Sequence, residues 1–218
     1  MHIQQTAEVV GPVGLEAMLS LPAMPRGLVV FVHGSGSSRL SPRNQHVARG
    51  LQRRGFATLL LDLLTPDEGD DRDKVFDIAL LGQRVGDAIA WACDDDRTRN
   101  LSIGLFGAST GAAAALVAAA REPAAVRAVV SRGGRPDLAA DALALVRAPT
   151  LLIVGSLDDG VIGLNRWALE RLTCEKRMEL VPGATHLFEE PGTLERVVEL
   201  AAEWLERQFP AVAAKAAS

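Results

Sequence analysis

Short apolar runs alternate with longer segments of helical periodicity from one end of this chain to the other, and that alternation leaves few folds open to it. Strands joined by whole helices pair in parallel, because a crossover of that length returns the chain to the same end of the sheet. Six runs read as such strands: Leu28–Val32, Thr58–Leu61, Leu101–Phe106, Ala128–Val130, Thr150–Val154 and Arg177–Val181. Several are apolar on both faces, as strands covered on both sides are. Two earlier runs, Gln5–Val10 and Leu15–Leu21, flank the turn Gly11-Pro12-Val13-Gly14 and read as an antiparallel pair at a sheet edge. Helical patterns cover roughly Pro42–Arg54, Asp73–Cys93, Thr110–Arg121, Asp137–Leu145, Val161–Leu172 and Gly192–Gln208. The expected fold class is α/β, a mostly parallel sheet of about eight strands with helices on both faces.

A chain of 218 residues can bury one core but divides poorly into two. Residues 1–210 are expected to form one domain and the small-residue stretch 211–218 to fray. A net charge of −4 with no long basic run gives little attraction to a nucleic-acid backbone or an anionic membrane, so neither is an expected partner. Residues Met1–Thr6 lack the basic and apolar regions of a secretory signal, and no apolar run reaches spanning length; a cytoplasmic location is the expectation. Cys93 and Cys174 lack metal-ligand spacing and read as buried free thiols. The acidic run Asp67-Glu68-Gly69-Asp70-Asp71 reads as a solvated loop, so no metal is expected. No GxGxxG turn opens the first helix, and no cofactor is implied.

The chemistry-bearing signal is Gly107-Ala108-Ser109-Thr110-Gly111, which follows an apolar strand directly and opens an alanine-rich helix. A serine on so sharp a strand-to-helix turn has strained backbone geometry, and flanking side chains would collide with neighbouring elements, hence the glycines. Ser109 then projects above the carboxyl ends of the strands, beside the positive end of a helix. A serine hydroxyl needs a base to act as a nucleophile at neutral pH. Of the four histidines, His2 is terminal, His46 falls in a surface helix, and His33 reads as a structural residue beside a glycine- and serine-rich loop. His186, between the last strand and the last helix, is the candidate base. The loop Gly155–Val161 offers its orienting carboxylate: Asp158 is preferred, with Asp159 as the alternative and as N-cap of the following helix. Backbone amides of Thr110 and of Ser35, in the loop His33-Gly34-Ser35-Gly36-Ser37-Ser38, are the expected oxyanion donors. Arg132 and Arg135 lie at a strand end on the same side and are candidates to clamp a substrate carboxylate; pairing of a loop arginine with Asp137 is the structural alternative.

Together the His33-Gly34 loop, the Gly107–Gly111 turn, the Asp158 loop and Gly183-Ala184-Thr185-His186 resemble the α/β-hydrolase superfamily over nearly the whole chain. His33–Arg39 and Ser131-Arg132-Gly133-Gly134-Arg135-Pro136 further resemble the dienelactone hydrolase-like group. The resemblance implies a serine hydrolase that cleaves a small carboxylic ester, lactone or thioester through an acyl-enzyme on Ser109. The best-known members of that group carry a cysteine nucleophile, so serine at 109 shifts the expectation from lactones toward general carboxylic esters. A non-catalytic binding protein of the same fold and a cofactor-free perhydrolase are the alternatives. Only about nineteen residues separate Val130 from Thr150, too few for a helical lid, so an open site is expected. Monomer and edge-strand homodimer both stay open.

Overall fold

A computed structural model describes residues 2–209, and the tail expected over 211–218 lies outside them. Eight strands form one sheet in the order β1-β2-β4-β3-β5-β6-β7-β8. They are β1 (Ile3–Val10), β2 (Leu15–Pro22), β3 (Leu28–Val32), β4 (Ala57–Leu61), β5 (Ile103–Ala108), β6 (Val126–Arg132), β7 (Thr150–Gly155) and β8 (Lys176–Val181). The first two form the expected antiparallel edge pair, and β3 to β8 run parallel. Every residue of β3, β4, β5 and β7 is buried, the sandwiched environment their apolar runs require.

Side-chain alternation divides each central strand between two cores. Leu28, Val30 and Val32 of β3 join α4 (Ile78–Asp94), α5 (Thr110–Arg121) and α7 (Asp159–Arg171) on one face. Val29 and Phe31 join α1 (Pro42–Arg53) and α8 (Thr193–Gln208) on the other, where Trp204 is the largest fully buried side chain. Burying one such leucine or phenylalanine contributes about 1.5–3 kcal/mol, and the two faces contain dozens of apolar side chains. The alanines of α5 serve a different end. Ala112 to Ala115, Ala118 and Ala119 are fully buried, which lets the helix lie close to the sheet and brings its N-terminus directly over β5.

Strand order reverses at β3, whose neighbours are β4 on one side and β5 on the other. The loops after β3 and β5 therefore leave in opposite directions and open a crevice at their carboxyl ends, the place where open α/β sheets bind ligands. His33 and Ser109 stand at this point, with Val32 paired to Gly107 and Ala108 to Arg132.

Four sequence expectations are corrected. The helix expected over Asp73–Cys93 is broken into α3 (Arg72–Val75) and α4, with the short α2 (Pro66–Gly69) before them, because Asp71 and Asp77 each accept backbone hydrogen bonds as N-caps and restart the chain. The acidic stretch expected as a loop lies largely in α2, closed by a capping box in which Thr65 and Glu68 exchange hydrogen bonds. The helix expected over Asp137–Leu145 is a 3-10 turn, Pro136–Ala139, followed by the short α6 (Ala140–Leu143). Cys93 is exposed rather than buried, since the free face of α4 carries it; Cys174 is half-buried.

Candidate active site

Ser109 adopts φ 52° and ψ −125°, a backbone conformation that L-residues avoid and that costs about 1–3 kcal/mol. Only Ser109 and Phe188 among the described non-glycine residues have positive φ. The flanking glycines meet the steric demand expected of them. A Cβ at Gly107 would lie 2.5 Å from Ala112 Cα, and one at Gly111 would lie 2.3 Å from the carbonyl oxygens of Val32 and His33. Neighbouring backbone holds the turn: Ser109 N–H donates to Arg132 O at 3.3 Å, and Arg135 N–H donates to Ser109 O at 3.0 Å.

His186 Nδ1 lies 2.7 Å from Asp158 Oδ2. The aspartate side chain is largely buried and the imidazole more open, at 11% and 38% exposure, so the carboxylate is shielded while the ring stays partly accessible. Asp158 occupies the N-cap position of α7 but makes no cap hydrogen bond, because its carboxylate is engaged by the histidine. Asp159 is exposed in the first turn, so the cap role expected for it is not what the structure shows. The two loops are tied together. Leu157 N–H donates to Ala184 O at 3.0 Å, and Gly183 N–H donates to Ser156 Oγ at 2.9 Å.

Glu190 closes the far side of the histidine loop, accepting from Thr185 N–H at 3.1 Å and from the Thr185 hydroxyl at 2.6 Å. The hydroxyl bond leads the effects that hold the Glu190 carboxyl below its usual range. His186 Cε1 packs at the carboxyl end of β6, where a methyl added to Gly133 would lie 3.6 Å from it. Ser109 Oγ makes no hydrogen bond to the imidazole, a contact that commonly tightens on substrate binding.

The oxyanion side departs from expectation. Ser35 N–H does not point freely into the crevice; it donates to the side-chain hydroxyl of Thr110 at 2.8 Å. The β3 and β5 loops meet here, since a Cβ on Gly34 would stand 3.0 Å from Ser109 Cβ. Thr110 N–H, at the first position of α5, has no intrahelical acceptor and remains available. His33 holds the loop from behind. Leu63 N–H donates to its Nε2 at 3.1 Å, which places the ring proton on Nδ1, 2.9 Å from Gly34 O. Burial keeps its pKa below the usual 6.5, so this imidazole is neutral and structural, as the sequence suggested.

The two arginines separate cleanly. Arg135 makes a bidentate pair with Asp137, at 2.9 and 2.8 Å, which raises its pKa and leaves the guanidinium committed. Arg132 is 7% exposed and has no carboxylate partner among the described residues; its Nε is unbonded, and its nearest polar contact is Asn44 Oδ1 at 3.4 Å. Burial first, then the nearby Arg43 charge, lowers its pKa to about 10, leaving it charged at neutral pH. The N-terminus of α1 and the Phe188 ring, 5.8 Å from the guanidinium carbon, complete its surroundings.

A cavity of about 380 Å³ opens beside the oxyanion loop, walled by Leu15, Leu63, Leu64, Val75 and Leu81 with His33–Arg39 on the crevice side. Its polar rim is fixed by Arg39, which pairs with Glu16 and Asp62. Sequence reasoning missed the Thr110 hydroxyl bond and this cavity, which depend on segments far apart in the chain, and it missed Glu190, which closes a five-residue loop that carries no motif.

Residues 27–183 match the family model described as alpha/beta hydrolase fold. The chain belongs to the α/β-hydrolase family. Within that family it is dienelactone hydrolase-like: the crystal structure of a dienelactone hydrolase from Anabaena variabilis is 52% identical, superposes with a TM-score of 0.93, and is matched over 96% of this chain and 100% of its own. A serine hydrolase without lid from Xanthomonas campestris shares the α/β-hydrolase fold at 21% identity and a TM-score of 0.76, over 96% of this chain and 97% of that one. Proteins from two Mycobacterium tuberculosis strains, provisionally named phosphoribosyl transferases, are 56% identical over 92% of this α/β-hydrolase chain. That stretch is 45% of their length, so the chain spans less than half of those relatives. Among the described residues no helix is long and apolar enough to cross a membrane.

Proposed function

We propose that the chain is a serine hydrolase that cleaves a small carboxylic ester through an acyl-enzyme on Ser109. The observation that carries this reading is the His186–Asp158 hydrogen bond, formed at the same end of the sheet as a serine held in a strained strand-to-helix turn. Asp158 fixes the imidazole with its proton on Nδ1, so Nε2 is left as a base. His186 removes the Ser109 proton as Oγ attacks the ester carbonyl, and returns it to the departing alcohol; water then attacks the acyl-enzyme with the same base. The serine turn, the base and the acid are the parts acyl transfer needs, whereas the transferase name belongs to longer proteins of which this chain matches less than half.

Arg132 refines the substrate class. A buried guanidinium without a carboxylate is costly to keep, and an ester that carries its own anionic group would supply the missing partner. Arg135, already paired to Asp137, is no longer a candidate for that role.

Hydrolysis of p-nitrophenyl butyrate and p-nitrophenyl palmitate by wild type and Ser109→Ala tests the reading. The expected result is activity on the short ester, little on the long one, and loss by at least about a thousandfold in the variant. A fluorophosphonate should label Ser109, as read by peptide mass. Label on any other residue, or an unaltered rate in Ser109→Ala, would sink the assignment.

A further inference from the structure

The Thr110 hydroxyl engages the Ser35 N–H, the amide expected to be the second oxyanion donor. Its Oγ1 accepts the Ser35 N–H at 2.8 Å, while its own hydroxyl proton has no acceptor among the described residues. Thr110 is 5% exposed, so that proton is not simply spent on bulk water. A buried hydroxyl that accepts one hydrogen bond and does not donate still has its O–H proton available to a new acceptor. The position is also specific. Thr110 follows the nucleophile directly, its backbone N–H is free, and Gly34 packs against Ser109 with the Ser35 amide next in the chain.

We propose that the Thr110 hydroxyl is itself an oxyanion donor, acting together with the Thr110 backbone N–H and polarised from behind by Ser35 N–H. The inference rests on the serine-hydrolase reading above. When Ser109 Oγ bonds to the carbonyl carbon, the π electrons move onto the carbonyl oxygen and the Ser109 proton passes to His186. The new negative charge then meets one amide and one hydroxyl from the same residue. A hydroxyl that accepts a hydrogen bond is a better donor, so the Ser35 amide strengthens the contact without touching substrate. The threonine also explains why the residue after the nucleophile is β-branched in an otherwise alanine-rich helix: its restricted side chain holds Oγ1 toward the β3 loop.

The test uses Thr110→Val, which keeps shape and removes the hydroxyl, Thr110→Ala as a second hydroxyl-free variant should valine disturb folding, and Thr110→Ser. Each is assayed with p-nitrophenyl butyrate, with an alkyl boronic acid that forms a tetrahedral adduct on the serine, and with the fluorophosphonate. The expected result is a loss of about 10- to 100-fold in kcat for the valine and alanine variants, below the full value of a lost donor because the freed Ser35 N–H partly substitutes. KM should stay within about twofold, boronate affinity should fall in step with kcat/KM, and serine should restore most of the rate. Unchanged or faster turnover in Thr110→Val and Thr110→Ala overturns the proposal, and so does a serine variant as slow as valine, which would make the methyl group the relevant part. A wild type that reacts with neither ester nor fluorophosphonate would instead remove the hydrolase reading beneath it.

Discussion

Asp158 and Asp159 are neighbours of identical chemistry, and one hydrogen bond separates their roles. Asp158 is bonded to His186 at 2.7 Å, while Asp159 stands exposed in the first turn of α7. Asp158→Asn should lower kcat by about a thousandfold or more by stabilising the wrong imidazole tautomer, and Asp159→Asn should leave it within about twofold; steady-state kinetics on the short ester read both. Arg132 invites the opposite kind of prediction, in which the variant gains stability. Replacing an unpaired buried guanidinium with methionine removes a desolvated charge and should add about 1–2 kcal/mol, read as a thermal midpoint higher by about 2–6 °C. The same Arg132→Met protein should show a KM at least about tenfold higher for an ester bearing a carboxylate, with a neutral ester little affected. A midpoint that drops would mean that the guanidinium braces the histidine loop instead of waiting for an anion.

Among the elements, α5 is the most constrained. Its buried alanines, and the glycines on either side of Ser109, set how closely it approaches β3 and β5. A single methyl added at Gly107 would meet Ala112 backbone at 2.5 Å, and backbone cannot step aside as a side chain can. Gly107→Ala should therefore destabilise by about 1–3 kcal/mol and displace Ser109. Gly86 is a contrast within α4: nothing lies within 4 Å of a Cβ built there and its φ is helical. Gly86→Ala should stabilise by about 0.5–1 kcal/mol, since the methyl strains nothing and narrows the unfolded chain. Urea unfolding of the two variants beside wild type gives both signs in one experiment. The broken α3–α4 region illustrates where periodicity misleads. Capping side chains of aspartate offer the backbone an alternative partner, and Asp77, just after α3 ends at Val75, begins α4 inside a run that reads as continuous.

For the molecule as a whole, acid should act in two stages. His33 is held neutral in the fold with its pKa below 6.5, so the unfolded chain binds the extra proton first as pH falls. Stability is unaffected by this group above about pH 6.5, and declines from there down to its lowered folded value. The carboxylates come next: Glu8 and Asp95 share Arg97, and Glu68 accepts from Thr65, each bond holding the folded pKa below the ordinary 4.5 or 3.8. Their contribution is present above those values and is lost as pH drops through the folded ones. Urea midpoints from pH 7.5 to 3.5 should start to fall just below 6.5, and His33→Gln should flatten that upper stage only; a wild-type curve flat down to pH 4.5 would contradict it. The alternation of apolar runs by itself determined the parallel sheet, because burial on two faces leaves a strand no polar residues to show. The glycine-flanked serine likewise determined the strained strand-to-helix turn, because the steric demand is local. Tertiary structure alone decided the rest. That Ser35 N–H goes to the Thr110 hydroxyl, that Arg132 meets Asn44 and no carboxylate among the described residues, and that Asp158 faces His186 are relations between segments 28 to 88 residues apart, fixed only when the strand order brings their carboxyl ends into one crevice.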